Sequence, residues 1–136
     1  MKAKLEKLSK ENSGNKIQAD INLVLKDIVD ILNNKKCEDI SILDLESVNS
    51  YLSLFVICTV KTGTQGKAVS KDLLRSLKKY KLTRGTAGKT DNTGDSGWIL
   101  IDFGEVFVHI MTKEIREYYN LDKLWGDAKH IPLPVN

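Results

Sequence analysis

The sequence predicts an α/β fold, a mixed β-sheet with flanking helices, and three observations carry that prediction. Apolar residues recur at helical spacing through residues 17–32 and again through residues 68–80. Short runs of β-branched and aromatic residues, 40–42, 51–60, 98–101 and 106–111, lie between and after these helices. The last two runs flank Asp102-Phe103-Gly104-Glu105, a hairpin pattern in which Gly104 supplies the positive φ of a tight turn.

The chain has 136 residues, 41% hydrophobic and 29% charged, with a net charge of +3, which suits one globular domain with a real core. Residues 1–15, lysine-rich and ending in Asn12-Ser13-Gly14-Asn15, are expected to form a flexible N-terminal extension. A single α/β domain is expected over residues 16–128, and residues 129–136, with Pro132 and Pro134, read as an irregular tail. No apolar run approaches the length of about 18 residues that spans a bilayer, and no charged start leads into an apolar segment. A cytoplasmic protein without membrane contact is therefore expected. Two cysteines and two histidines stand far apart with no ligand spacing, so neither metal nor cofactor is expected. Cys58 sits inside an apolar run and reads as a buried free thiol.

The first helix carries Ile17, Ile21, Val24, Leu25, Ile28, Ile31 and Leu32 on one stripe and ends near Asn33-Asn34-Lys35-Lys36. The alternation of Ile40, Ser41 and Ile42 marks a strand over 39–45, and 46–50 is a polar turn. Residues 51–60 are nearly all apolar, as in a strand covered on both faces. Lys61-Thr62-Gly63 leads into a second helix, starting at Thr64 or Gln65, whose apolar positions Ala68, Val69, Leu73, Leu77 and Tyr80 recur at helical spacing. Its other face carries Lys67, Lys71, Arg75 and Lys78, a contiguous basic stripe that is a candidate contact for RNA phosphates or a solvated face. Residues 83–97 are rich in Gly, Thr, Asp and Asn, with a short strand expected near 83–86. After the hairpin, Thr112 is a plausible N-cap for a helix through Tyr119, with 121–125 as a further turn.

If Asp102 faces Glu105 across a two-residue turn, Ile99, Ile101, Val106, Val108 and Ile110 share an aliphatic, core-facing side. Trp98, Leu100, Asp102, Glu105, Phe107 and His109 then share the other side, where aromatics, acids and a histidine meet and a partner is expected.

Three catalytic readings are weak. Gly88-Lys89-Thr90 lacks the glycine five residues earlier, where Thr83 stands, and a helix precedes it where a phosphate loop needs a strand. A strand, Gly63-Thr64, a helix and a strand ending in Asp102 fit nucleotidyl transfer only partly, because Gly104 stands two positions on from Asp102. Glu105 and Asp44 are the remaining candidate acids, and no complete cage is visible. His109 has no activated nucleophile or orienting acid in evident reach and reads as packed beside Trp98.

The stretch from Trp98 through Ile110, Trp-Ile-Leu-Ile-Asp-Phe-Gly-Glu-Val-Phe-Val-His-Ile, and then Arg116-Glu117-Tyr118-Tyr119-Asn120-Leu121-Asp122-Lys123-Leu124-Trp125-Gly126-Asp127-Ala128, strongly resembles the ribosomal silencing factor (Iojap-like) family. Asp39-Ile40, Leu43-Asp44-Leu45, Phe55-Val56-Ile57-Cys58-Thr59, Gln65 and Ala68 fall in the family's order, so the resemblance covers residues 17–128. The chain departs from the family at Ser53-Leu54, where Asp-Tyr is usual, and at Val60, where a glycine is usual. The resemblance implies a fold similar to the nucleotidyltransferase type without its catalytic acids. It implies a non-enzymatic repressor of translation that binds the large ribosomal subunit, on the ribosomal protein at its subunit-joining face, and blocks the small subunit. By the same resemblance Trp98, Asp102, Phe103, Gly104 and Glu105 are the leading interface candidates, followed by His109, Tyr118 and Tyr119. Ribosomal RNA and a second copy of the free protein are further candidate partners.

Overall fold

The computed structural model describes residues 16–48, 54–80, 89–90 and 96–134. Helix α1 (Lys16–Asn34) is followed by β1 (Glu38–Asp44), β2 (Leu54–Val60) and α2 (Gly63–Ser76), with a 3-10 turn at Lys78–Tyr80. Then come β3 (Lys89–Thr90), β4 (Trp98–Asp102), β5 (Val106–Thr112), α3 (Lys113–Tyr119), α4 (Leu121–Leu124) and β6 (Lys129–His130). The six strands form one sheet in the order β3-β4-β5-β2-β1-β6. Among the described strands only β2 and β5 run parallel, and the other neighbours are antiparallel, so the expected mixed sheet with flanking helices is what forms.

Strand β2 lies inside the sheet, and every residue from Phe55 to Val60 is buried, which explains its unbroken apolar run. One face of the sheet takes α1 and α2. Ile21, Val24, Leu25, Ile28 and Leu32 of α1, with Val69 and Leu73 of α2, pack on Ile42, Val56, Ile99, Ile101, Val108 and Ile110. Each such side chain contributes roughly 1.5–3 kcal/mol by leaving water, which outweighs the modest helix propensity of a stripe rich in Ile and Val. The other face takes α3 and α4 over a smaller cluster of Leu43, Leu45, Phe55, Ile57, Met111, Leu121 and Ala128.

The start of α2 is fixed locally. Thr62 is its N-cap, and its Oγ1 accepts from the Gln65 backbone N–H at 3.1 Å. The Gln65 side chain returns to accept from Lys61 N–H at 2.8 Å and donates to the Lys35 carbonyl at 2.9 Å, joining α2 to the end of α1. Gly66 brings α2 close to the sheet, since a Cβ there would stand 3.3 Å from the Ile99 methyl.

The hairpin register differs from the expected one. Asp102 faces Phe107, not Glu105, and Phe103 N–H donates to the Val106 carbonyl at 2.9 Å across Gly104-Glu105. Gly104 has a φ of +88°. The shift is two residues, an even number, so the two sets of side chains keep their faces. The tail is also more ordered than expected, because Lys129 and His130 pair with Asp44 and Leu43 as the edge strand β6. The strand expected near 83–86 lies outside the described residues, as does the extension 1–15. Lys89 and Thr90, from the rejected phosphate-loop motif, pair with Asp102 and Ile101 at the opposite edge.

Candidate functional site

Strand alternation and the parallel pairing of Phe55 with Phe107 bring Phe55, Trp98, Phe107 and His109 to the face that α3 and α4 partly cover. How much stays open depends on how those two short helices are tethered. Asn120 makes the corner between them with a φ of 46°, a left-handed conformation that Asn tolerates better than most residues. Its side chain then accepts from Lys123 N–H at 3.2 Å, capping α4. Arg116 of α3 ties this unit to the sheet. Its guanidinium donates to Asp122 at 3.2 Å through both Nε and Nη2, to Thr59 Oγ1 at 3.0 Å, to Ser41 Oγ at 3.2 Å and to the Asp39 carbonyl. Burial acts to raise the Asp122 carboxyl, but the hydrogen bonds and charge of Arg116, with the Ser41 hydrogen bond, outweigh it and hold it below its ordinary value. A bulge in β1 between Glu38 and Ser41 leaves Asp39 with a φ of 50°, at the carbonyl that Arg116 reaches.

With α3 and α4 so held, aromatic rings form an unbroken series from solvent to core. Tyr118 stands 4.9 Å from Tyr119, Tyr119 4.9 Å from Trp98, Trp98 5.8 Å from His109, and His109 4.4 Å from Phe55, measured between ring centroids. Phe55 in turn meets Phe107 at 5.8 Å and Trp125 at 6.3 Å. The outer end is exposed, Tyr118 at 80%, Tyr119 at 49% and Leu124 at 67%. Trp98, Leu100, Phe107 and Trp125 are half-buried. Such a patch presents apolar area backed by fixed rings, the composition of a protein-docking surface.

Three of the expected contact residues, Phe103, Glu105 and His109, are buried where exposed side chains were expected. Phe103 is 1% exposed and belongs to the core under α1 and α2, because the two-residue shift turns it inward opposite Val106. Glu105 is 5% exposed and His109 4%, so neither presents its side chain to solvent. Gly104 is half-buried, and Asp102 is half-buried with its Oδ1 accepting from Gly104 N–H at 2.8 Å, a local turn contact. Of the expected set, Tyr118 and Tyr119 are exposed and Trp98, Asp102 and Gly104 are half-buried, and Leu124 of α4 and its C-cap Trp125 join them. The Tyr-Tyr-Asn-Leu-Asp-Lys-Leu-Trp run held the signal for the last two, since its apolar residues outnumber those that a two-turn unit can bury.

His109 is held as a neutral imidazole. Trp98 Nε1–H donates to its Nδ1 at 3.1 Å, which puts the remaining proton on Nε2. Burial lowers its pKa to about 4. Its Nε2 meets no hydrogen-bond partner among the described residues. The two cysteines are free and buried, and Cys58 is pushed well up by its hydrogen bond with Cys37 and by burial, which suppresses thiolate chemistry.

The acids do not converge. Asp44 ends β1 and Asp102 ends β4, with β2 and β5 between them, a separation of roughly 14 Å at three strand spacings. No metal pair bridging one phosphate spans that distance. Lys67, Lys71, Arg75 and Lys78 are exposed on α2 and the turn after it, with Arg75 2.6 Å from Asp72. They lie on the α1–α2 side of the sheet, the layer opposite the aromatic patch. A cleft of about 450 Å³ beside Arg116 is lined by Asp39, Lys113, Glu117 and Asp122, charges of both signs. Among the described residues no helix is long and apolar enough to cross a membrane.

Comparison with known proteins supports the fold and gives the family. A ribosomal silencing factor from Bacillus subtilis (strain 168) is 32% identical over 105 residues, covering 77% of this chain and 86% of that protein. A mouse protein named for mitochondrial assembly of the ribosomal large subunit is 28% identical over 98 residues, covering 72% of this chain and 43% of its own length. A crystal structure of a protein from Bacillus halodurans superposes with a TM-score of 0.64 at 27% identity, covering 78% of this chain and 93% of the other. Residues 18–136 match the family model described as ribosomal silencing factor during starvation, and this chain belongs to that family.

Proposed function

We propose that this chain is a non-enzymatic, cytoplasmic factor that docks on the large ribosomal subunit, on the ribosomal protein at its subunit-joining face, and keeps the small subunit from joining. The observation that carries the proposal is the exposed patch of Tyr118, Tyr119 and Leu124 continuous with Trp98. Tyr and Trp anchors bury large areas at small entropic cost, and rings already packed on a sheet lose little freedom when a partner arrives. A steric block needs only such a fixed foothold and the bulk of the domain behind it. Family membership supports action on the ribosome, and the name of the mouse relative supports the large subunit as the target. Nucleotidyl transfer is disfavoured by the separation of Asp44 from Asp102. The basic stripe faces away from the patch, so one flat docking surface does not engage both, and the proposal does not use it.

Cosedimentation with purified large subunits tests the proposal. The Trp98→Ala, Tyr119→Ala double variant is expected to keep its circular dichroism spectrum and to leave the large-subunit fraction. A folded double variant that cosediments as the parent does removes the patch as the docking surface.

A further inference from the structure

Trp98 stands at the hinge of the aromatic series, between the exposed Tyr119 ring and the buried His109 ring. Rotation about the bond joining an indole to its Cβ has broad, shallow preferences, so ring contacts alone do not select one orientation. A hydrogen bond from the single indole N–H to a fixed acceptor does. His109 Nδ1 is that acceptor at 3.1 Å, and its ring is itself fixed. It lies on β5 with Leu100 beside it on β4 and Ile57 on β2, and it packs 4.4 Å from Phe55.

A histidine chosen for packing alone is a poor choice here, since phenylalanine fills the same space. The imidazole instead brings a second nitrogen, Nε2, which is buried and meets no hydrogen-bond partner among the described residues. Buried polar atoms are nearly always paired, and exceptions concentrate where function requires them. The group that justifies the imidazole is the other nitrogen, the one that holds Trp98.

Building on the docking function above, we infer that His109 is a positioning residue whose Nδ1 locks the Trp98 indole in one orientation, so that the anchor is set before a partner arrives. His109 touches no partner, which its burial requires. It acts through Trp98 alone.

The test reads the indole directly. The chain has two tryptophans, Trp98 and Trp125, so its nitrogen-15 spectrum carries two indole N–H signals, assigned with Trp98→Phe. In the parent protein the Trp98 indole proton is expected to be shifted downfield and to exchange with solvent far more slowly than in free indole. His109→Phe is expected to abolish both signatures and to weaken binding to isolated large subunits by about three- to tenfold, the effect of releasing one side chain. His109→Asn, whose Oδ1 reaches the place of Nδ1, is expected to keep the signatures and the affinity. A parent Trp98 indole that exchanges like free indole overturns the inference, and that measurement needs no variant to fold. So does any folded His109 variant that loses the signatures yet binds as the parent does. Trp98→Ala separates the two levels: if it too binds normally, the docking function fails, whereas if only His109→Phe binds normally, the positioning role alone fails.

Discussion

His109 and Phe103 show how far apart the roles of neighbouring residues on one hairpin can be. His109 titrates at about 4 in the folded protein against an ordinary 6.5, because burial disfavours the charged ring. The unfolded chain therefore takes up a proton between those pH values that the folded chain does not, so stability falls as pH falls from 6.5 toward 4. The full difference is about 3 kcal/mol. Urea denaturation at pH 7 and pH 4.5 is expected to show a larger loss for the parent than for His109→Asn, and equal losses contradict a buried neutral imidazole. Asp122 adds a second acid-labile contribution, present above its ordinary carboxylate value and lost below it. Phe103 has no such chemistry. It fills the core under α1 and α2, so Phe103→Ala is expected to lower stability by about 3–5 kcal/mol in urea denaturation. Tyr118→Ala, at an exposed site, is expected to change stability by less than about 0.5 kcal/mol while weakening ribosome binding. A mild Phe103→Ala contradicts its assignment to the core.

At the scale of elements, the parts with a strong period were legible in the sequence. The apolar stripe of α1, the continuous apolar run of β2 and the Thr112 start of α3 all form where spacing places them. The faces of the β4–β5 hairpin were legible as well, and they survived a wrong register because the displacement was even. Exposure was not legible. Whether Glu105 and His109 meet solvent depends on how the sheet face is covered, which is settled by contacts between residues far apart in sequence. Arg116 reaches Ser41, Thr59 and the Asp39 carbonyl across 75, 57 and 77 positions, and no local pattern announces it. A two-residue strand such as β6 has no period to read. The candidate site was thus half readable: its aromatic residues stood out, and the division between anchors and supports did not.

At the scale of the molecule, the sheet separates two different surfaces. One layer, α1 and α2, encloses the larger core and carries exposed cations outward. The other, α3 and α4, is thin, is bound to the sheet through Arg116, and leaves tyrosine and leucine side chains uncovered. A domain that docks by its thin layer turns the thick one toward whatever approaches next, which is the arrangement a steric block needs. The direct measurement is subunit joining. Large subunits preincubated with the chain are mixed with small subunits, and assembled ribosomes are followed by light scattering. The parent chain is expected to suppress joining in proportion to its occupancy of large subunits, and the Trp98→Ala, Tyr119→Ala variant to leave joining intact. Large subunits fully occupied by the parent chain that still join small subunits at the normal rate and extent would contradict the account.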